Sequence, residues 1–151
     1  MLSSYDPLYV MSKLRVIGVD YGQKRVGVAI SDPLGLFAQP LGTYDPSTAL
    51  SEIQAVQKRD GIESIVIGWP QLPDGSEGLS VENVKLFQKR IEKVIHGVPV
   101  IRWNEEFTSE IAKELISRGE KPSLRRTGRG RIDAAAAAVI LQEYLDQLQD
   151  D

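Results

Sequence analysis

Two β-rich runs, residues 14–21 and 25–31, are separated only by Gly22-Gln23-Lys24. That spacing is far too short for a crossover between parallel strands, so the runs must pair as an antiparallel hairpin. Residues 36–43 read as a third strand. The pattern then changes period. Asp45-Pro46 offers an N-cap followed by proline in the first turn of a helix that runs to about Arg59 and closes at Gly61. Residues 62–67 read as a short buried strand and residues 68–75 as a loop with two prolines. Residues 80–95 form a helix with Val84, Phe87, Ile91, Val94 and Ile95 on one face, and residues 98–103 a fifth strand. A helix over 107–118, a basic loop over 119–130 and a last helix from Arg131 complete the chain. Three leading strands followed by alternating helices and strands predict an α/β fold, a five-stranded mixed sheet flanked by helices on both faces.

With 151 residues, 42% of them hydrophobic, the chain matches one domain with a real core. We expect residues 14–148 to form that domain and residues 1–13 a flexible extension. Nothing near the amino terminus resembles a secretory signal, and no apolar run is long enough to span a membrane, which predicts a cytoplasmic protein. The absence of cysteine excludes disulfides, thiolate metal sites and a cysteine nucleophile, and a single histidine, His96, argues against zinc. A formal charge of -3 is ordinary for a soluble protein, but it hides an imbalance. Between Ser117 and Arg131 six cations (Arg118, Lys121, Arg125, Arg126, Arg129 and Arg131) face one acid, Glu120, so that stretch carries +5. With Gly128 and Gly130 among its arginines, it is the compositional signal for a phosphate clamp, against the plainer reading of a solvated loop.

Three carboxylates fall where strands end or a helix begins. Alternation along the first strand puts Val16, Gly18 and Asp20 on one face and Ile17, Val19 and Tyr21 on the other, so an acid ends an otherwise buried strand. A turn aspartate bonding backbone amides is the plain alternative. Asn104-Glu105-Glu106 directly follows the fifth strand, where open sheets present binding groups; Glu106 suits a helix start, and Glu105 is the functional candidate. In the last helix Asp133, Ala136, Ala137, Ile140, Leu141, Tyr144 and Leu148 form one stripe at i, i+3, i+4 spacing. Alanines 134–138 let that helix approach the sheet closely. Acids converging at one sheet edge repel unless a cation holds them, and oxygen ligands select magnesium or manganese. Two such ions suit phosphodiester hydrolysis, which needs neither histidine nor cysteine.

Other residues divide between structure and binding. Lys24 and Arg25, in the hairpin turn beside Asp20, suit either a phosphate backbone or plain solvation. Asp74 and Glu77 have capping-box spacing. Trp69 and Trp103 adjoin apolar strands and read first as core, second as platforms for an unpaired base. His96 suits a helix C-terminus.

These motifs resemble the YqgF/RuvX family of bacterial nucleases with the RNase H-like fold. The first motif runs unbroken from Gly18-Val19-Asp20-Tyr21-Gly22 through Lys24-Arg25 to Ser31-Asp32. The middle one reads Ile67-Gly68-Trp69-Pro70 and Asp74-Gly75-Ser76-Glu77, with Trp69 where the family usually has leucine. The last reads Arg131-Ile132-Asp133 with the alanine-rich helix. After the fifth strand the family usually reads Asp-Glu-Arg, and here Asn104-Glu105-Glu106 keeps the glutamate and loses the arginine. The resemblance implies a metal-dependent endonuclease on structured nucleic acid, either the 5′ end of pre-16S rRNA or a branched DNA junction. By that analogy Asp20, Glu105 and Asp133 are the catalytic, metal-binding acids for Mg²⁺ or Mn²⁺. Lys24, Arg25, Arg125, Arg126, Arg129 and Arg131 then meet the substrate, and the protein acts as a monomer or homodimer. Two other classes compete: an actin-like or sugar-kinase ATPase, which needs a second domain this length does not supply, and a non-catalytic nucleic-acid-binding factor.

Overall fold

The computed structural model describes residues 14–69, 79–104 and 130–150, with the backbone alone at 79, 80, 104 and 130–133. Its elements are β1 (Arg15–Tyr21), β2 (Val26–Ser31), β3 (Ala38–Tyr44), α1 (Pro46–Arg59), β4 (Ile62–Trp69), α2 (Leu79–Val94), β5 (Val100–Asn104) and α3 (Gly130–Asp150). The strands form one mixed sheet in the order β3-β2-β1-β4-β5. β1 pairs antiparallel with β2 and parallel with β4; β2–β3 is antiparallel and β4–β5 parallel. The expected five-stranded mixed sheet with helices on both faces is what forms. The expected helix over 107–118, the basic loop and the Asp74/Glu77 capping box lie outside the described residues, as does the extension 1–13.

Boundaries shift for identifiable reasons. β3 starts at Ala38 rather than residue 36, because the Asp32 carboxylate accepts from the Leu36 and Phe37 amides at 2.7 and 2.9 Å and holds them in the loop. β4 continues through Gly68 and Trp69, where a loop was expected, because β5 offers them Trp103 and Asn104 as partners. β5 begins after Pro99, which has no N–H to give a ladder. α1 starts as its sequence predicts, with the Asp45 side chain accepting from the Thr48 amide and Pro46 opening the helix.

Each face of the sheet carries its own core. On one, Ile17, Val19, Val28, Ile65, Ile67 and Trp69 meet Ile53 of α1 and Phe87 and Ile91 of α2. On the other, Val16, Ala29 and Val66 meet Ala137, Ile140, Leu141 and Leu145 of α3. The α3 stripe is thus rotated from the expected one: Ala134 and Leu145 are buried, while Leu148 is 47% exposed. Val94, expected on the buried face of α2, is likewise exposed.

The inner strands hide few polar groups. Ser31 is fully buried, and its Oγ accepts from the Val16 amide at 2.8 Å across the β1–β2 boundary. Ser31→Ala leaves that amide without its acceptor and is expected to cost about 1–3 kcal/mol in denaturant unfolding. For Asp32, slight burial raises the carboxyl pKa, but the Phe37 and Leu36 amides outweigh it and hold it below the ordinary 3.8. For Asp45 the Thr48 hydroxyl and amide do the same. A carboxylate whose folded pKa is depressed stabilises above its unfolded pKa and loses that contribution as pH falls through the folded value. The melting temperature is therefore expected to drop as pH falls below about 4, and to drop less steeply in Asp32→Asn.

Candidate nuclease site

β1, β4 and β5 run parallel, so their carboxyl ends, Tyr21, Trp69 and Asn104, lie along one sheet edge. That is the edge where open α/β sheets place ligands. Asp20 sits there, opposite Gly27 of β2 and one residue beyond the Val19–Ile67 pair. It shares a face with Val16 and Gly18, the face α3 covers, and it is partly exposed.

The direction of α3 decides what else reaches this edge. The Ala134 amide donates to Thr43 Oγ1 at 3.2 Å, at the end of β3 that lies beside the β1 carboxyl terminus. Eight residues on, the Gln142 side chain accepts from the Ala38 amide at 2.8 Å and donates to the Leu36 carbonyl at 3.0 Å, at the far end of β3. α3 therefore runs antiparallel to β1, with its first turn at the edge that holds Asp20. Thr43 and Gln142 carry this alignment, and nothing in the sequence pattern singled either of them out. Asp133 is the fourth residue of α3, inside the first turn and past the N-cap position.

Between these ends α3 passes directly over β1. A Cβ at Gly18 would stand 2.8 Å from both the Ala137 carbonyl oxygen and Leu141 Cβ, so only glycine admits the helix at this depth. Ala137 is one turn after Asp133, and Gly18 is two residues before Asp20. The motif glycine thus sets the separation between β1 and the helix that bears the second acid.

The other expected site residues are placed as follows. Glu105 directly follows Asn104, the last residue of β5, and lies outside the described residues, as do Arg125, Arg126 and Arg129. Arg131 belongs to the first turn of α3. Lys24 and Arg25 are exposed in the hairpin turn after β1. The tryptophans take up structural contacts. Trp69 is 4% exposed on the face opposite Asp20. Trp103 donates from Nε1 to Glu143 at 3.1 Å and packs edge-on against Tyr144, tying β5 to α3. His96 is exposed just beyond α2. Among the described residues no three acids cluster as a metal centre, and no helix is long and apolar enough to cross a membrane.

A family model described as "RuvX: Holliday junction resolvase" matches residues 14–147, which include both ends of this site. The chain belongs to that family. Among its relatives is a protein of Salinibacter ruber, 48% identical over 136 residues that make up 90% of this chain and 95% of that one. One of Syntrophus aciditrophicus is 42% identical over 141 residues, covering 91% and 92%. Both carry the name "Putative pre-16S rRNA nuclease". Among solved structures, Thermus thermophilus RuvC in complex with a Holliday junction substrate superposes with a TM-score of 0.56 at 16% identity, over 90% of this chain and 96% of that one. That likeness shows the fold the RuvX chain shares with RuvC. With this membership the protein stands among nucleases, and the ATPase alternative falls away.

Proposed function

We propose that the protein is a metal-dependent endonuclease that processes the 5′ end of pre-16S rRNA. The observation that carries this reading is the antiparallel course of α3 over Gly18, which brings the helix turn bearing Asp133 to the sheet edge where Asp20 stands one residue before the end of β1. The names of the Salinibacter and Syntrophus relatives, matched over nine-tenths of the chain, support RNA as substrate over branched DNA.

The donor chemistry fits a hard divalent cation. Asp20 offers carboxylate oxygen at a partly exposed position, and the chain holds no cysteine and one distant histidine. Asp20, Glu105 and Asp133 would hold one or two Mg²⁺ or Mn²⁺ ions. Bound there, such cations acidify water and neutralise charge developing on the phosphate. The chain's own part is to fix the acids. β1 holds Asp20 through its pairing with Gly27, and the Thr43 bond to Ala134 holds the first turn of α3. Lys24 and Arg25 beside Asp20, and Arg125, Arg126, Arg129 and Arg131 before and within α3, would take backbone phosphates on either side of the cut.

The test is cleavage of a labelled pre-16S rRNA fragment and a four-way DNA junction, with Mn²⁺ or with EDTA. Cutting of the RNA that EDTA abolishes is the expected result. Preferential cutting of the junction would instead make the protein a resolvase. Binding of either nucleic acid without cutting would make it a non-catalytic factor.

A further inference from the structure

Arg102 is an exposed cation on β5, and its side chain is fixed on two sides. Its guanidinium carbon lies 3.9 Å from the centroid of the buried Trp69 ring, and its Nε donates to Gln88 Oε1 of α2 at 3.1 Å. Arginine ordinarily loses considerable rotamer freedom on binding. Here stacking and a hydrogen bond have already removed much of it. Among the described residues no carboxylate lies within ion-pair distance of Arg102, and its two terminal nitrogens have no acceptor.

The stacked pair also has a definite place in the sheet. Arg102 pairs with Ile67, whereas Trp69 pairs with Asn104. Trp69 is the last residue of β4 and Arg102 lies two residues before the end of β5, so the stacked pair stands by the edge where β1, β4 and β5 end. That is the edge of Asp20, approached from the opposite face. A planar cation with an open two-nitrogen fork matches the geometry of a phosphate better than that of any neutral ligand.

We infer that Arg102, seated on Trp69, binds a backbone phosphate flanking the cut, gripping the substrate from the α2 side of the edge. This rests on the nuclease reading above. It also gives a use to Trp69, which stands where the family usually has leucine.

Binding of the pre-16S rRNA fragment and of the four-way junction, measured by fluorescence anisotropy in EDTA at several salt concentrations, tests it. Arg102→Ala is expected to weaken binding about tenfold and to lower the slope of log affinity against log salt by about 1, the signature of one lost phosphate contact. Arg102→Lys should restore the slope while recovering only part of the affinity. Trp69→Leu removes the platform and keeps the charge, so it should weaken binding with the slope unchanged. Loss in both ligands marks a backbone contact; loss in the RNA alone marks one used only in the RNA complex. Binding by Arg102→Ala with wild-type affinity and slope would overturn the assignment while leaving the nuclease reading intact. A wild-type protein that binds neither ligand would overturn both. Equal melting temperatures of wild type and Arg102→Ala are required alongside, and a fall in affinity that merely tracks unfolding also counts against it.

Discussion

Asp20→Asn is expected to abolish metal-dependent cleavage of the pre-16S rRNA fragment, by roughly 10³-fold or more in turnover, while the protein stays folded and still binds RNA. The size follows from the position. Asp20 stands near the carboxyl end of the central strand, and the helix carrying Asp133 is aligned to the same edge; in the proposed nuclease the acids would act as a set. Residues that act as a set lose nearly the whole activity when one is removed. Asparagine keeps the shape of the side chain and can still offer one oxygen, but it removes the negative charge that holds a divalent cation among carboxylates. Folding should be nearly unaffected. The side chain is partly exposed at a strand end, and the backbone pairing with Gly27 does not depend on it; a stability change under about 1 kcal/mol is in line with such sites. The check is single-turnover cleavage with Mn²⁺ beside a thermal melt and an RNA-binding isotherm. Cleavage that persists in the variant within a few-fold of wild type would remove Asp20 from the chemistry, and with it the reason for placing the metal at this edge.

Much of this site was legible in the residues because β-alternation and helical spacing are local rules. Alternation alone placed Asp20 on the face away from Ile17 and Val19, as observed. The alanine run told that the last helix lies close to the sheet, and Gly18 shows where. What local rules do not contain is the partner. β4 reaches Trp69 only because β5 supplies Trp103 and Asn104 across the ladder, and the α3 stripe is rotated toward Ala134 and Leu145 by a sheet surface that no helical wheel includes. The polarity of α3 hangs on Thr43 and Gln142, two polar side chains whose bonds span roughly a hundred residues of chain. Trp69 is the plainest case. Its neighbours in sequence gave it two readings, and only the cross-strand place of Arg102 showed what lies over its ring.

The second large effect is expected at Gly18, where substitution should couple instability to loss of cleavage. In Gly18→Ala the new Cβ would meet the Ala137 carbonyl oxygen and Leu141 Cβ, each at 2.8 Å. One is backbone and the other is the first atom of its side chain, so no rotamer change clears the space. Truncation on the helix gives no relief either: Ala137→Gly leaves the carbonyl, and Leu141→Ala leaves the Cβ. α3 must therefore lift from β1, opening the packing of Ile140, Leu141 and Leu145 against Val16 and Val66. Overpacking of this kind costs about 1–3 kcal/mol, and Gly18→Val, with two more carbons at the same place, should cost more. Lifting the helix also moves its first turn relative to Asp20, and an error of about 1 Å in a catalytic arrangement can cost about 100-fold in rate. Urea unfolding and single-turnover cleavage of Gly18→Ala, read under conditions where the variant is still fully folded, separate the two consequences. The expected result is a folded protein with a lower unfolding midpoint and cleavage reduced by about 100-fold. A destabilised variant that cuts at the wild-type rate would mean that the depth of α3 sets stability alone and that the acids are aligned by something other than this crossing.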